Sequence, residues 1–276
     1  MKFCLIGTGR CGSTMLTRML NMHPDVFIFN ETHWIPKMHE HFGTGKGYPE
    51  EFIRIVENTF HITDKPVTDI DKSRVLNLFQ ENQEITLREF CDALASVFII
   101  DNNKTYWADK TPDYGPWLSV IKQHWPDCKI IHLVRHGADV AASMSGHPGY
   151  KWMASAGEDS WVPGSFNQYY KSVQIEEKPL HEYAALWYRR FMRIRDEVKS
   201  FDVDSYREFR FESFVSGPKR TLIDIADFAG LSVPNSWLES ALAELDVSRI
   251  NSRINKRQLD YLGKREMRLL RELDYE

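Results

Sequence analysis

The first thirty residues alternate between short apolar runs and a glycine-rich turn, and this alternation constrains the fold more than any other feature. The apolar run at residues 2–6 ends in Gly-Thr-Gly, which is typical of a buried strand that enters a tight turn. Apolar residues then recur at helical spacing over residues 13–22, His23-Pro24 ends that helix, and a second apolar run covers residues 26–29. Strand, turn, helix and strand in this order predict an α/β domain with a parallel sheet.

The remainder of the chain continues this pattern without dividing into separate domains. Further strands are predicted at residues 106–108, 129–134 and 207–211, and helical segments at residues 50–100, 116–125, 137–144, 180–198, 219–229 and 264–273. Residues 145–179 are rich in Gly, Pro, Ser and Trp and show no clean period, so we expect a long irregular loop there, which is a lid, a binding insertion or disordered. No Pro/Ser-rich linker divides the chain, and we therefore expect a single domain over residues 1–276, with helices flanking the sheet.

The overall composition argues against several classes of protein. The 276 residues carry 35 Lys and Arg against 39 Asp and Glu, a net charge of −4, which does not suit a nucleic-acid scaffold or a disordered acidic tail. No apolar run approaches the length of about 18 residues that a membrane-spanning helix needs, so we expect no membrane partner. The four cysteines, at positions 4, 11, 91 and 128, show no C-x-x-C spacing, which favours reduced thiols in a cytoplasmic protein.

The turn from Gly7 to Thr14 is a candidate anion site, because a glycine-rich turn that leads into a helix presents backbone N–H groups. It matches the dinucleotide fingerprint G-x-G-x-x-G, with the acidic Glu31 about twenty positions later. It nearly matches the nucleotide-hydrolase loop G-x-x-x-x-G-K-[ST], except that Ser13 stands at the lysine position. It also suits a phosphosulfate loop in which Arg10 supplies the positive charge, and a tight turn without a ligand is the fourth alternative.

A second candidate anion site follows the strand predicted at residues 129–134. Arg135 stands directly after this strand, and Ser143 follows on the next helix. Because open parallel sheets bind ligands at the carboxyl ends of their strands, a guanidinium and a hydroxyl there suit a second phosphate. Alternatively, Arg135 pairs with Asp139, one helical turn away. Lys110 also follows a predicted strand and can point into the same cleft, although a lone lysine is usually solvated.

Together these motifs resemble the sulfotransferases that use 3′-phosphoadenosine 5′-phosphosulfate (PAPS). The loop GTGRCGSTML, the KTPDY turn, the segment LVRHGADVAASM and the block RFESFVSGPKRTLIDIADFAGL cover most of the chain and carry the resemblance. The N-terminal motifs are most similar to those of tyrosylprotein sulfotransferases and bacterial sulfotransferases, since the loop Arg10 is followed by ETHWIP at residues 31–36. The resemblance implies a P-loop-type α/β fold, PAPS as the donor, 3′,5′-ADP as the product and no metal.

The resemblance also implies roles for individual residues. Glu31 would be the general base, and Arg10 and Lys110 would stabilise the charge of the leaving phosphate. His33 and Asp109 would orient these groups. The residues implied to bind the donor come from the loop, the second motif and a C-terminal basic segment: Gly9, Arg10, Cys11, Gly12, Ser13, Thr14, Arg135, Ser143, Lys256 and Arg257.

The acceptor is defined less sharply than the donor. Tryptophans and carboxylates near the predicted cleft suit a flat, cationic guest, and the candidate acceptor-binding residues are His33, Trp34, Trp152, Glu158, Asp159 and Trp161. We expect a hydroxyl or amine on a soluble small molecule or natural product. A protein tyrosine or a carbohydrate is the alternative acceptor, and an NAD(P)-dependent oxidoreductase is a more distant alternative. The chain departs from the small-phenol enzymes, because Arg10 replaces their loop lysine and Lys110-Thr111-Pro112 stands where they place a catalytic histidine.

Overall fold

A five-stranded parallel sheet forms the centre of the protein. The computed structural model describes residues 1–59, 68–160, 172–245 and 259–275. Within the described residues, the strands are β1 (Phe3–Gly7), β2 (Val26–Asn30), β3 (Lys46–Gly47), β4 (Ile85–Thr86), β5 (Tyr106–Lys110), β6 (Lys129–Val134) and β7 (Tyr206–Arg210). The sheet has the order β2-β5-β1-β6-β7, and every pair of neighbouring strands within it is parallel. Strands β3 and β4 form a separate antiparallel pair.

Helices connect the strands and cover both faces of the sheet. They are α1 (Ser13–Asn21), α2 (Trp34–Phe42), α3 (Pro49–Glu57), α4 (Lys72–Leu76), α5 (Leu87–Asp101), α6 (Leu118–His124), α7 (Gly137–Ser145), α8 (Pro148–Ala156), α9 (Leu180–Glu197), α10 (Phe211–Ser216), α11 (Pro218–Ala229), α12 (Asn235–Ala243) and α13 (Lys264–Glu272). Short 3₁₀ helices lie at Pro112–Trp117 and Val198–Ser200. Within the described ranges, none of these helices is long and apolar enough to cross a membrane.

The alternation of side chains along β1 explains why the sheet needs helices on both sides. Phe3 and Leu5 are fully buried in a cluster with apolar residues of α1, α11 and α12. Cys4 and Ile6 are fully buried on the opposite face, in a cluster with residues of α2, α3 and α5. A strand that is buried on both faces reads as a continuous apolar run, which is the pattern that predicted this strand. The predicted α/β class with a parallel sheet and flanking helices is confirmed.

The region predicted to be helical over residues 50–100 contains α3, α4 and α5 in its described part, and the short strand β4 lies between α4 and α5. The segment at residues 145–179 was expected to be irregular, yet it contains α8. The start of α8 carries clear signals, because Pro148 is its first residue and the ring of His147 caps it by accepting a hydrogen bond from the Gly149 N–H.

The parallel arrangement gathers polar residues at the carboxyl edge of the sheet. The glycine-rich loop follows β1, Glu31 follows β2, Lys110 ends β5 and Arg135 follows β6. These strands are neighbours in the central sheet, so the residues at their ends share one edge. The sequence predicted this convergence, and the candidate site lies there.

Candidate active site

A cavity of about 510 Å³ opens at the carboxyl edge of the sheet. It is lined by residues from the loop after β1, from α1, from the ends of the neighbouring strands and from α8: Arg10, Gly12, Ser13, Thr14, Met15, Arg18, Glu31, His33, Pro112, Asp113, Arg135, Ser143, His147, Gly149, Tyr150 and Met153. Cationic, anionic and apolar groups therefore share one space. Within the described ranges, no group of three or more His, Cys, Asp or Glu side chains is arranged to hold a metal ion.

The N-terminus of α1 forms the first candidate anion-binding part of this cavity. The loop that precedes it bends sharply, with φ of 81° at Gly9, 54° at Arg10 and 95° at Gly12. Gly12 occupies the position before the helix and supplies no side-chain cap. The Ser13 N–H lies against the buried Cys11 thiol, and Thr14 carries the next N–H of the first turn. The helix dipole favours negative charge at this end of α1.

Arg10, Arg135 and Ser143 form the second candidate anion-binding part. Arg10 Nε donates to Ser143 Oγ at 3.1 Å, and Arg135 Nη1 donates to the main-chain carbonyl of Arg10 at 3.1 Å. The Arg135 guanidinium also lies 4.7 Å from the centre of the Phe211 ring and 3.8 Å from the Asp139 carboxylate. The Arg135–Asp139 pair, which the sequence offered as an alternative, is therefore present, and Arg135 lines the cavity as well. The pair holds the guanidinium in place at the cavity wall.

Glu31 and Lys110 form an ion pair at the edge of the cavity. Lys110 Nζ lies 2.6 Å from Glu31 Oε1, and the Lys110 side chain is fully buried whereas that of Glu31 is 37% exposed. The main-chain N–H of Glu31 also donates to the carbonyl of Lys110 at 2.7 Å. The Lys110 side chain turns inward to the carboxylate, which excludes the alternative of a solvated lysine. This pair fixes one Glu31 oxygen and leaves the carboxylate facing the cavity.

A buried polar network supports the turn that carries Glu31. Asp109 accepts hydrogen bonds from the hydroxyls of Thr111, at 2.6 Å, and Thr32, at 2.5 Å. The Thr32 hydroxyl lies 2.6 Å from Tyr114 Oη. Glu31 and His33, on either side of Thr32, both have positive φ, 56° and 54°. Non-glycine residues seldom adopt this conformation, so the network must hold the turn against backbone strain.

The match to a family model identifies the class of the protein. The model of the sulfotransferase family matches residues 3–235, which is most of the 276-residue chain. The chain belongs to the sulfotransferase family. Among curated protein sequences, none matches the chain significantly.

Solved sulfotransferase structures share the fold of this sulfotransferase. The sulfotransferase domain of the curacin biosynthetic pathway has a TM-score of 0.62 and 19% identity, covering 99% of this chain and 97% of that domain. The sulfotransferase domain of the Synechococcus PCC 7002 olefin synthase has a TM-score of 0.54 and 18% identity, covering 99% and 94%. A Mycobacterium avium sulfotransferase has a TM-score of 0.50 and 11% identity, covering 98% and 75%. At these identities the similarity establishes a common architecture.

Several residues predicted from the sequence of the sulfotransferase do not reach the cavity. Trp34 is 1% exposed in the core beneath the sheet, and Trp152 is 4% exposed in the cluster around α9. Asp159 is paired with Arg189 at 2.7 Å and Arg193 at 3.4 Å. The acceptor-binding roles expected for Trp34, Trp152 and Asp159 are therefore corrected: burial or ion pairing turns these side chains away from the cavity.

The remaining predicted residues fall into two groups. Glu158, Gly9 and the buried Cys11 are not among the lining residues of the cavity, although Gly9 and Cys11 shape the loop. Trp161, Lys256 and Arg257 lie outside the described residues.

The sequence analysis overlooked one wall of the cavity. His147, Tyr150 and Met153 line it from α8, and Asp113 lines it while its carboxylate lies 2.8 Å from the buried Arg190. The available signal was Pro148 at the start of α8, which would have predicted a helix and placed these residues on one face. The pairing of Asp113 with Arg190 had no local signal.

The contact between α8 and the loop gives a prediction at Gly9. A Cβ at this position would lie 1.6 Å from Tyr150 Oη, and Gly9 has a φ of 81°. We expect Gly9→Ala to lower the free energy of unfolding by about 1–3 kcal/mol more than Gly157→Ala does. Gly157 is the matched control, because its φ is 73° and nothing lies within 4 Å of the place that an alanine methyl group would take. Urea unfolding measures both, and equal losses would show that the Tyr150 contact does not confine the loop.

Burial makes Asp109 a pH-dependent element of stability. Removal from water, opposed by the hydrogen bonds from Thr111 and Thr32, raises the pKa of Asp109 to about 7. In the unfolded chain the Asp109 carboxyl group loses its proton near pH 4, whereas in the folded protein it keeps that proton up to about pH 7. The contribution of Asp109 to the free energy of unfolding therefore falls between these two pH values and is constant above them. We expect the free energy of unfolding of Asp109→Asn, minus that of the native protein, to rise by several kcal/mol between pH 4 and pH 7. Urea unfolding at a series of pH values measures this difference, and a difference that is independent of pH would contradict it.

Proposed function

We propose that this sulfotransferase transfers a sulfuryl group from PAPS to a hydroxyl or amine of a small-molecule acceptor and releases 3′,5′-ADP. The observation that carries this proposal is the convergence of two candidate anion-binding parts and one carboxylate on a single cavity of about 510 Å³. A donor with phosphate groups at both ends of its ribose requires two separated anion sites. The acceptor molecule must lose a proton as it reacts, and the Glu31 carboxylate beside these anion sites can take that proton.

The chemistry of the lining residues fits this donor. The open N-terminus of α1 and the hydroxyls of Ser13 and Thr14 suit the 5′-phosphosulfate. Arg135 and Ser143 suit the 3′-phosphate. Arg10, which belongs to the loop before α1 and donates to Ser143 Oγ at 3.1 Å, adds positive charge to both parts. This division favours PAPS over ATP, whose phosphates form one chain and leave the 3′-hydroxyl free.

The roles of Glu31 and Lys110 follow from their ion pair. As the acceptor oxygen or nitrogen attacks sulfur, Glu31 takes the proton from that atom, a new bond to sulfur forms, and the bond from sulfur to the 5′-phosphate oxygen breaks. Lys110 orients the Glu31 carboxylate through the 2.6 Å contact and is fully buried. Its direct role is therefore to position the base, and Arg10 and the N–H groups of α1 are the groups suited to the charge of the leaving phosphate.

The walls of the cavity favour an acceptor with an uncharged body. The tryptophans expected to bind a cation are buried in the core, and Asp113 is already paired with Arg190 at 2.8 Å. Pro112, Tyr150 and Met153 supply apolar contact area instead. Among the described residues, these contacts support a hydroxyl on a largely apolar small molecule over the cationic, nitrogen-rich acceptor that the sequence suggested.

Calorimetric titration with 3′,5′-ADP, ATP and NAD tests the donor. We expect 3′,5′-ADP to bind at micromolar concentration and both other nucleotides to bind at least about tenfold more weakly, because neither carries a 3′-phosphate. Tight binding of NAD with no binding of 3′,5′-ADP would overturn the proposal in favour of the oxidoreductase alternative. A mass-spectrometric search for PAPS-dependent gain of one SO₃, across alcohols, amines, tyrosine peptides and sugars, then identifies the acceptor class.

A further inference from the structure

His147 lies at the junction between α7 and α8, and no sequence motif pointed to it. Its side chain is half-buried and lines the cavity together with Arg10 and Glu31. The ring packs edge-on against Tyr150, with ring centres 5.3 Å apart. Tyr150 in turn packs against Gly9 of the anion-binding loop. Tyr150 therefore links His147, the N-cap residue of α8, to the loop that we propose to hold the phosphosulfate.

The hydrogen bond that caps α8 fixes the form of the imidazole. His147 Nδ1 accepts from the Gly149 N–H at 3.2 Å, so Nδ1 must carry its lone pair and the proton of the neutral ring must be on Nε2. Within the described part of the chain, Nε2 has no hydrogen-bond partner. The ring thus presents one N–H donor that the fold of these residues does not use.

The surroundings keep this ring neutral. Burial, reinforced by the positive charge of Arg10 and opposed by Glu31, holds the pKa of His147 below its ordinary value. At neutral pH the ring is therefore a donor at Nε2, not a cation. The charges of Arg10 and Glu31 both act on the ring, which shows that it lies near the groups proposed to bind the donor and to take the acceptor proton.

We propose that His147 is a sulfuryl-binding residue, whose Nε2–H donates a hydrogen bond to a terminal oxygen of the group being transferred. This inference rests on the proposed function, because it needs PAPS as the donor. Glu31, the N-terminus of α1 and His147 line the same cavity, so a sulfuryl group bound there can accept a hydrogen bond from the Nε2–H. A neutral donor binds these oxygens and leaves the cationic side chains to the phosphates. Its hydrogen bond also keeps the sulfur atom aligned for attack.

Comparison of two ligands tests this role without knowledge of the acceptor. PAPS and 3′,5′-ADP differ only by the sulfuryl group, so a residue that binds this group affects one affinity and not the other. His147→Ser and His147→Asn are the test variants, since both residues are favoured helix caps and neither reaches the position of Nε2. His147→Gln is the rescue variant, because its side-chain amide can place an N–H there. His181→Ser removes an exposed histidine and is the matched control.

We expect the Ser and Asn variants to bind PAPS at least about tenfold more weakly in calorimetric titration, with the 3′,5′-ADP affinity unchanged within about twofold. The Gln variant should recover most of the PAPS affinity, and the His181→Ser control should match the native protein. Equal loss for both nucleotides, no loss for PAPS, or failure of Gln to restore binding would each overturn the inference. If the native protein binds neither nucleotide, the proposed function itself fails and the inference falls with it.

Discussion

Glu31→Gln is expected to reduce sulfuryl transfer by a factor of about 10²–10⁴, because an amide cannot take the acceptor proton. The substitution keeps the shape of the side chain, and its amide oxygen can still accept the hydrogen bond from Lys110 that the carboxylate accepts at 2.6 Å. The affinity for 3′,5′-ADP should therefore stay within about twofold of the native value. Turnover is measured by the PAPS-dependent gain of SO₃ on an acceptor, and affinity by calorimetry.

A second carboxylate provides the control for this experiment. Glu182→Gln removes one negative charge from an exposed position on α9 and should leave turnover unchanged. Turnover retained in Glu31→Gln would show that another group takes the proton, and the paired Asp113 would then be the next candidate. Loss of 3′,5′-ADP binding together with turnover would instead give Glu31 a structural role in the donor site.

Arg135→Ala is expected to weaken 3′,5′-ADP binding about 100-fold while changing 5′-AMP binding by less than about threefold. The guanidinium is held by Asp139, by the carbonyl of Arg10 and by the Phe211 ring, so it is organised before the nucleotide arrives. Little conformational entropy is then lost when it contacts a phosphate, and the contact contributes nearly its full free energy. Because 5′-AMP lacks the 3′-phosphate, its affinity should not depend on this residue.

The exposed Arg74 is the matched control for this substitution. Its guanidinium pairs with Asp101 at 2.7 Å on the surface, and Arg74→Ala should leave the affinities for both nucleotides unchanged. Equal weakening of 3′,5′-ADP and 5′-AMP by Arg135→Ala would reject the assignment of Arg135 to the 3′-phosphate. Such a result would show that the residue supports the loop through the Arg10 carbonyl.

The sequence was sufficient to predict the convergence at the edge of the sheet. The apolar runs located β1, β2 and β6, and the parallel connections require the ends of these strands to lie on one side. Because Arg10, Glu31 and Arg135 follow those strands directly, local patterns were enough to bring them together. The helix at residues 148–156 was missed even though Pro148 and a capping residue mark its start.

The direction of side chains depends on tertiary packing, and here the sequence was insufficient. Trp34 and Trp152 are amphipathic residues that suit a binding site or a core equally well, and both pack inside. Lys110 turns toward Glu31 because strands β2 and β5 are neighbours, which no spacing along the chain reveals. Asp159 is paired with Arg189, thirty residues away in the chain, and only the packing of α9 brings the two together.

The contact between Tyr150 and Gly9 joins the α8 wall of the cavity to the loop after β1. The hydroxyl of Tyr150 occupies the space that any side chain at Gly9 would need, so the wall from α8 and the loop after β1 cannot be altered independently. A shift of α8 would therefore move the loop that we propose to hold the nucleotide. Pro112 lines the cavity from outside α8, so a change there alters the cavity wall without moving this contact.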